Sequence, residues 1–201
     1  MEKNAVQRLA RLLRVMVSVL IVCNGVGLFF VPAMTHTSPW EFFPYLENNL
    51  LTFFHARPLG EDDIFIPSVF YVLACWGEVL THPWSNVVWL LYTGFLFFCG
   101  CCSLIILRQA RRILDTVLEG NPFQMSNARS MKRAAVCCWC ISALALVRLI
   151  GELFRHKSTA PLYTYNTLFV VVFYMGGLLF LVMSALFRQA AELKEDQDLT
   201  I

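Results

Sequence analysis

Charge is what this chain has least of. Only 15% of its 201 residues are Asp, Glu, Lys or Arg, where a soluble domain carries about 25%. That deficit argues against an ordinary water-soluble domain and for a membrane protein. Catalytic signatures are missing too. The sequence has no GxSxG, HExxH or P-loop, so the chemistries those spacings support have no foothold. Histidine is sparse, and His36, His55, His82 and His156 share no ligand spacing such as HxxxH. They read as dispersed surface residues rather than a metal site or pH sensor. The carboxylate run Glu61-Asp62-Asp63 reads as a solvated turn. Internal repeats and low-complexity tracts are also absent. The expectation is a chain that is not an enzyme and takes no cofactor or metal.

What is present is long uncharged runs. Val15 to Val31 carries no charge, and Lys3, Arg8, Arg11 and Arg14 precede it. A signal peptide cut near Val31-Pro32-Ala33 is the rival reading. Signal h-regions run about 7–15 residues, which is shorter than this run, so an uncleaved first span is the reading taken. A second uncharged run, 84–107, covers roughly 36 Å as a helix, enough to cross the hydrocarbon with some tilt. It ends at Arg108, Arg111 and Arg112. The corner Gly120-Asn121-Pro122-Phe123 follows, with Gly120 suited to a C-cap and Pro122 blocking further helix. Ser126 or Asn127 is the expected N-cap of the next helix. Spans three and four are expected at 134–150 and 162–187. The fold class is therefore all-α, an integral membrane four-helix bundle forming one membrane domain over 1–201.

The extracytoplasmic loop region is expected at 32–83. Prolines 32, 39, 44, 58 and 67 punctuate it, so long helices are not expected before Pro67. Ile64 to Leu80 is apolar apart from Glu78 but short, and reads as an interfacial helix, with a re-entrant segment as the alternative. Trp40, Trp76 and Trp84 with Phe42, Phe43 and Tyr45 suit an aromatic belt. Orientation follows from Lys and Arg. The N-terminus, the hairpin tip 108–133 and the tail 188–201 hold twelve of them, against three in the loop 32–83 and the corner 155–161. Basic segments stay in the cytoplasm. Both termini and the hairpin tip are therefore expected there, and the chain in a bacterial inner membrane.

Two constellations lie inside the spans. Cys99, Cys101 and Cys102 near the end of the second span should meet Cys137, Cys138 and Cys140 near the start of the third. Such i, i+3 pairs share a helix face, which suggests Zn²⁺ binding, a redox pair or palmitoylation. The plainer reading is that small, soft side chains let two helices approach closely, and it is preferred. Arg148 falls inside the outer end of span three, with Glu152 four residues on. A structural ion pair is the preferred reading, and a polar cavity lined by Arg148 and Glu152 is the alternative.

The basic tip satisfies the positive-inside rule and touches anionic lipid; a docking surface for a cytoplasmic protein is the sharper reading. It lacks the interleaved aromatics of a nucleic-acid binder, so no direct nucleic-acid contact is expected. The chain ends Asp198-Leu199-Thr200-Ile201, an end that a strand-adding pocket could capture.

Two stretches carry a resemblance. One is Leu118-Glu119-Gly120-Asn121-Pro122-Phe123 with Asn127 and Met131-Lys132-Arg133. The other runs from Leu186 to Ile201. Together they resemble a bacterial family of four-span membrane proteins known as a domain of unknown function. Its members have a G-x-P-F … N corner and an A-x-E-L-K-x-E-x-D-L-T-I tail. Asp196 stands here where the family often has Glu. The family has no catalytic residues to carry over. Its members are often encoded beside a small helix-turn-helix regulator of the Xre type, which implies a membrane partner or tether for such a regulator. The docking candidates are Gly120, Pro122, Phe123 and Asn127 of the corner with Glu192, Leu193, Asp198, Leu199 and Ile201 of the tail. Expected partners are the lipid bilayer, a cytoplasmic transcription regulator and a second copy of the chain. A small transporter or ligand-binding bundle using Arg148 and Glu152 is the alternative function.

Overall fold

The computed structural model describes residues 2–36, 44, 68–81, 87–121, 123–157 and 160–199. Among them the chain is all-α. Its elements are α1 (Glu2–His36), α2 (Ser68–Thr81), α3 (Val87–Leu118), α4 (Met125–His156), a 3-10 turn at Ala160–Tyr163 and α5 (Tyr165–Leu199). Four segments are long and apolar enough to cross a membrane: Gln7–His36, Val87–Leu118, Met125–Arg155 and Tyr165–Gln197. This is a multi-pass membrane protein. Its outward-facing side chains agree. Val15, Val19, Val22 and Val26 are all more than half exposed along α1, a surface that lipid tolerates and water does not.

The helices outrun the uncharged stretches. At about 1.5 Å per residue, α5 is roughly 52 Å long against a hydrocarbon core of about 30 Å, so its polar last turns project from the bilayer. α2 has 14 residues and is about 21 Å long, too short to span.

The chain forms two compact units. One comprises residues 25–98. Ala33, Val72 and Cys75 make its centre, with Phe30, Met34, Tyr71 and Trp76 packed around them. Pro32 was expected to help end helical structure, and α1 instead runs through it to His36. Proline removes one ladder donor and crowds the preceding turn, and α1 continues through it with further side-chain bonds close by. Trp76 Nε1 donates to the Phe29 carbonyl at 2.9 Å. Thr35 Oγ1 lies 3.0 Å from the Val31 carbonyl and 2.9 Å from that of Pro32. The Thr35 hydroxyl also meets Thr93 Oγ1 at 2.7 Å and accepts from Trp89 Nε1 at 3.0 Å. His36 is exposed at the end of α1, where its Nδ1 lies 3.3 Å from Tyr71 Oη and its Nε2 3.8 Å from Glu78. Trp40, Phe42, Phe43, Tyr45, Trp84, His55, His82 and the run 61–63 lie outside the described residues.

The other unit comprises residues 1–24 with 99–201, and α4 is its spine. Ala128, Met131, Ala135, Cys138, Ser142, Ala145 and Leu149 recur at steps of three and four and are all buried, the interval that places side chains on one helix face. Most are small, which lets a neighbouring backbone come close. α5 is that neighbour. Ser142 Oγ donates to the Val170 carbonyl at 2.9 Å and Ser184 Oγ to the Ala128 carbonyl at 2.7 Å. Between them, Gly177 faces the Trp139 ring and the Ala135 carbonyl. Partner numbers fall on α5 as they rise on α4, as antiparallel neighbours require. Beside α4, Cys102 of α3 lies near Cys137.

Candidate functional site

The corner between α3 and α4 is built by backbone hydrogen bonds. Gly120 N–H donates to the Val117 carbonyl at 3.2 Å, and Asn121 N–H reaches back to that of Thr116 at 3.1 Å. This pair of bonds is a Schellman closure. It needs a left-handed residue, and Gly120 supplies it at φ +79° without the Cβ penalty any other residue pays. The entry to α4 differs from expectation. Neither Ser126 nor Asn127 caps the helix; Gln124 is the N-cap, and its side chain makes no capping bond. Helix begins two to three residues earlier, so Asn127 falls within the first turn. There it is 1% exposed and donates from Nδ2 to Thr116 Oγ1 at 2.7 Å. The Asn side chain therefore clasps the outgoing helix instead of capping its own.

The tail motif meets this corner. Phe187 of α5 packs against Phe123, ring centroids 5.8 Å apart. The next residue, Arg188, pairs through Nε with Glu192 at 2.8 Å. Ala191 is buried. Lys194 Nζ then donates to Asn121 Oδ1 at 2.6 Å. Phe123 stays 48% exposed and Leu193 64%, so two apolar side chains stand open beside these polar contacts. Asp198 and Leu199 end α5. Pro122 and Ile201 lie outside the described residues.

The family model of DUF2975, described as a protein of unknown function, matches residues 77–201. The chain belongs to that family. No curated protein and no solved structure matches it. The match takes in both the corner and the tail, the two segments that the DUF2975 fold brings into contact.

The two charged residues of the third span in this DUF2975 chain do pair. Arg148 Nε lies 3.0 Å from Glu152 Oε1, with both side chains under a third exposed. From α5, Asn166 Nδ2 reaches both carboxylate oxygens, at 3.3 and 3.1 Å. Arg148, Glu152 and Asn166 thus tie the far ends of α4 and α5 together. α4 ends there: Lys157 takes a left-handed φ of 47° and donates its N–H to the Leu153 carbonyl at 3.0 Å. Asn166 was missed from sequence, although an amide opening an uncharged run is a signal that could have been weighed. The cysteines of α3 and α4 meet as their depth suggested. Cys102 and Cys138 are buried, and among the described residues no three His, Cys, Asp or Glu side chains are placed to hold a metal.

A second feature went unread. Arg108, Arg111, Arg112, Arg129 and Arg133 border two adjoining clefts along α3 and α4, of about 380 and 540 Å³, the larger also lined by Ile21 of α1. The basic residues were legible, but their convergence depends on how the two helices are rotated. Arg14 of α1 pairs with Asp115 in this region at 2.7 Å.

Proposed function

We propose that this protein is a non-enzymatic partner or tether of a cytoplasmic protein, held in a bacterial inner membrane with both termini and the α3–α4 corner in the cytoplasm. Orientation rests on the Lys and Arg asymmetry of the sequence. With that topology, α2 lies at the opposite interface and the segment 32–83 outside.

The observation that carries the proposal is the contact between corner and tail, Asn121 to Lys194 and Phe123 to Phe187. Seventy-three positions separate the first pair, yet both belong to the stretches that resemble the family pattern. Two short motifs joined this way make one surface with exposed apolar residues, Phe123 and Leu193, inside a polar rim. Protein interfaces have that composition. The partner suggested by the family resemblance is a small helix-turn-helix regulator, gripped as a protein, with no DNA contact from this chain.

A crosslinked pull-down of the tagged protein from its native membranes tests this. A small DNA-binding protein should come down with the wild type. It should be lost from the Pro122→Ala/Phe123→Ala variant and from a chain lacking 194–201, both still inserted. Retention of the same partner by both variants would overturn the proposal, as would recovery of nothing but lipid and further copies of the chain.

A further inference from the structure

The two clefts along α3 and α4 share Arg112, Asp115 and Arg133. Arg129 completes the rim of the smaller one, and Arg108 and Arg111 that of the larger. Their floors are polar and shielded. Asn127 and Ser130 line the first and are 1% and 6% exposed; Gln109 lines the second and is 8% exposed.

Charge balance asks for an anion. Among the described residues no carboxylate pairs with any of the five arginines, and the one acid in the clefts, Asp115, is engaged by Arg14. The arginines also crowd each other. Arg108 and Arg112 stand at i, i+4 on α3, and Arg129 and Arg133 do so on α4, a spacing at which like charges destabilise a helix. The N-terminus of α4 opens onto the smaller cleft through Ser126 and Asn127. It has no acidic residue in its first turn and no side-chain cap, so its positive dipole end is uncompensated. Guanidinium forks, a helix N-terminus and hydroxyl or amide donors are the groups that bind phosphate.

We infer that this pair of clefts is a phosphate-binding site, taking either the headgroup phosphate of an anionic lipid or a soluble phosphate. The positive-inside rule accounts for basic residues near this helix end. It does not account for five of them converging over a buried polar floor, while Lys132, exposed on the same turn of α4, stays outside both clefts. The inference is independent of any protein partner.

The test uses the full chain in phosphatidylcholine nanodiscs, titrated with inorganic pyrophosphate, and in equimolar phosphatidylcholine and phosphatidylglycerol nanodiscs. Saturable pyrophosphate binding in the neutral discs identifies a soluble ligand. Thermal stabilisation in the anionic discs alone identifies a lipid. In either arm Arg112→Gln and Arg133→Gln weaken the effect by about tenfold or more, and Lys132→Gln, which removes the same charge, leaves it near wild type. Arg112→Lys keeps the charge and the fold but loses the fork, and it weakens binding too. A wild type that responds to neither probe overturns the site. So does an effect that Lys132→Gln reduces as much as the arginine variants do, because that is diffuse surface charge.

Discussion

Lys194 Nζ sits 2.6 Å from Asn121 Oδ1, so the last turns of α5 are pinned to the corner that joins α3 and α4. Lys194 is exposed, and an exposed charge-assisted bond is worth about 1 kcal/mol or less. Lys194→Ala should therefore leave the melting temperature nearly unchanged while freeing the end of α5 locally. Hydrogen exchange of the amides at 194–199 should quicken by about fivefold, and Asn121→Ala should reproduce the effect. Unchanged exchange in both variants would mean that the bond does not hold the tail.

The clasp between Asn127 and Thr116 is a different matter, because it is buried. Asn127→Ala takes a donor from the Thr116 hydroxyl, which keeps its bond to the Ile113 carbonyl, and leaves a void at a site 1% exposed, so it should cost about 1–3 kcal/mol. Thr116→Val should cost less, since the amide keeps other contacts. The double variant should be less destabilised than the sum, by about 1 kcal/mol of coupling. Thermal unfolding in detergent of the four proteins closes the cycle, and strict additivity would contradict the clasp.

Much of this architecture was legible from the chain alone, for identifiable reasons. The four spans announce themselves because charge stops and starts abruptly, as at Arg108 after the run 84–107. Gly120 was legible because a left-handed turn residue has few alternatives. The start of α4 was misread because Ser126 and Asn127 look like caps and Gln124 does not; helix propagated past them because Asn127 finds a better partner across the corner in Thr116. Pro32 was read as a stop because the α2 residues that pack on this part of α1, Val72, Cys75 and Trp76, lie about 40 positions away. The contacts Asn121 to Lys194 and Glu152 to Asn166 depend on helix rotation and tilt, which an uncharged, unpatterned run such as 162–187 does not encode visibly.

Thr35 makes a prediction in the other unit. Its hydroxyl joins α1 to both Trp89 and Thr93. Thr35→Val keeps the shape and removes the hydroxyl, so Trp89 Nε1 loses this acceptor and the cost should be about 1–3 kcal/mol. Thr35→Ser retains the hydroxyl and should cost under about 1 kcal/mol. Thermal unfolding followed by tryptophan fluorescence separates them. Equal stability of the two variants would show that the hydroxyl contributes no more than the methyl.

Gly176 and Gly177 are adjacent, lie in the same span, and should respond oppositely to the same change. A Cβ at Gly176 meets nothing within 4 Å. Gly176→Ala should be neutral or mildly stabilising, because alanine is the better helix former by about 1 kcal/mol. A Cβ at Gly177 would collide with the Trp139 ring and press on the Ala135 carbonyl. Trp139 is on the buried α4–α5 seam, where overpacking costs about 1–3 kcal/mol, so Gly177→Ala should lower the melting temperature and expose α5 to proteolysis. Trp139→Leu should restore most of the loss in the Gly177→Ala background while destabilising the wild type, since removing the ring leaves a void beside the glycine. That crossing pattern is specific to a ring seated on a glycine. If both alanine variants behave alike, α4 and α5 do not meet at this register.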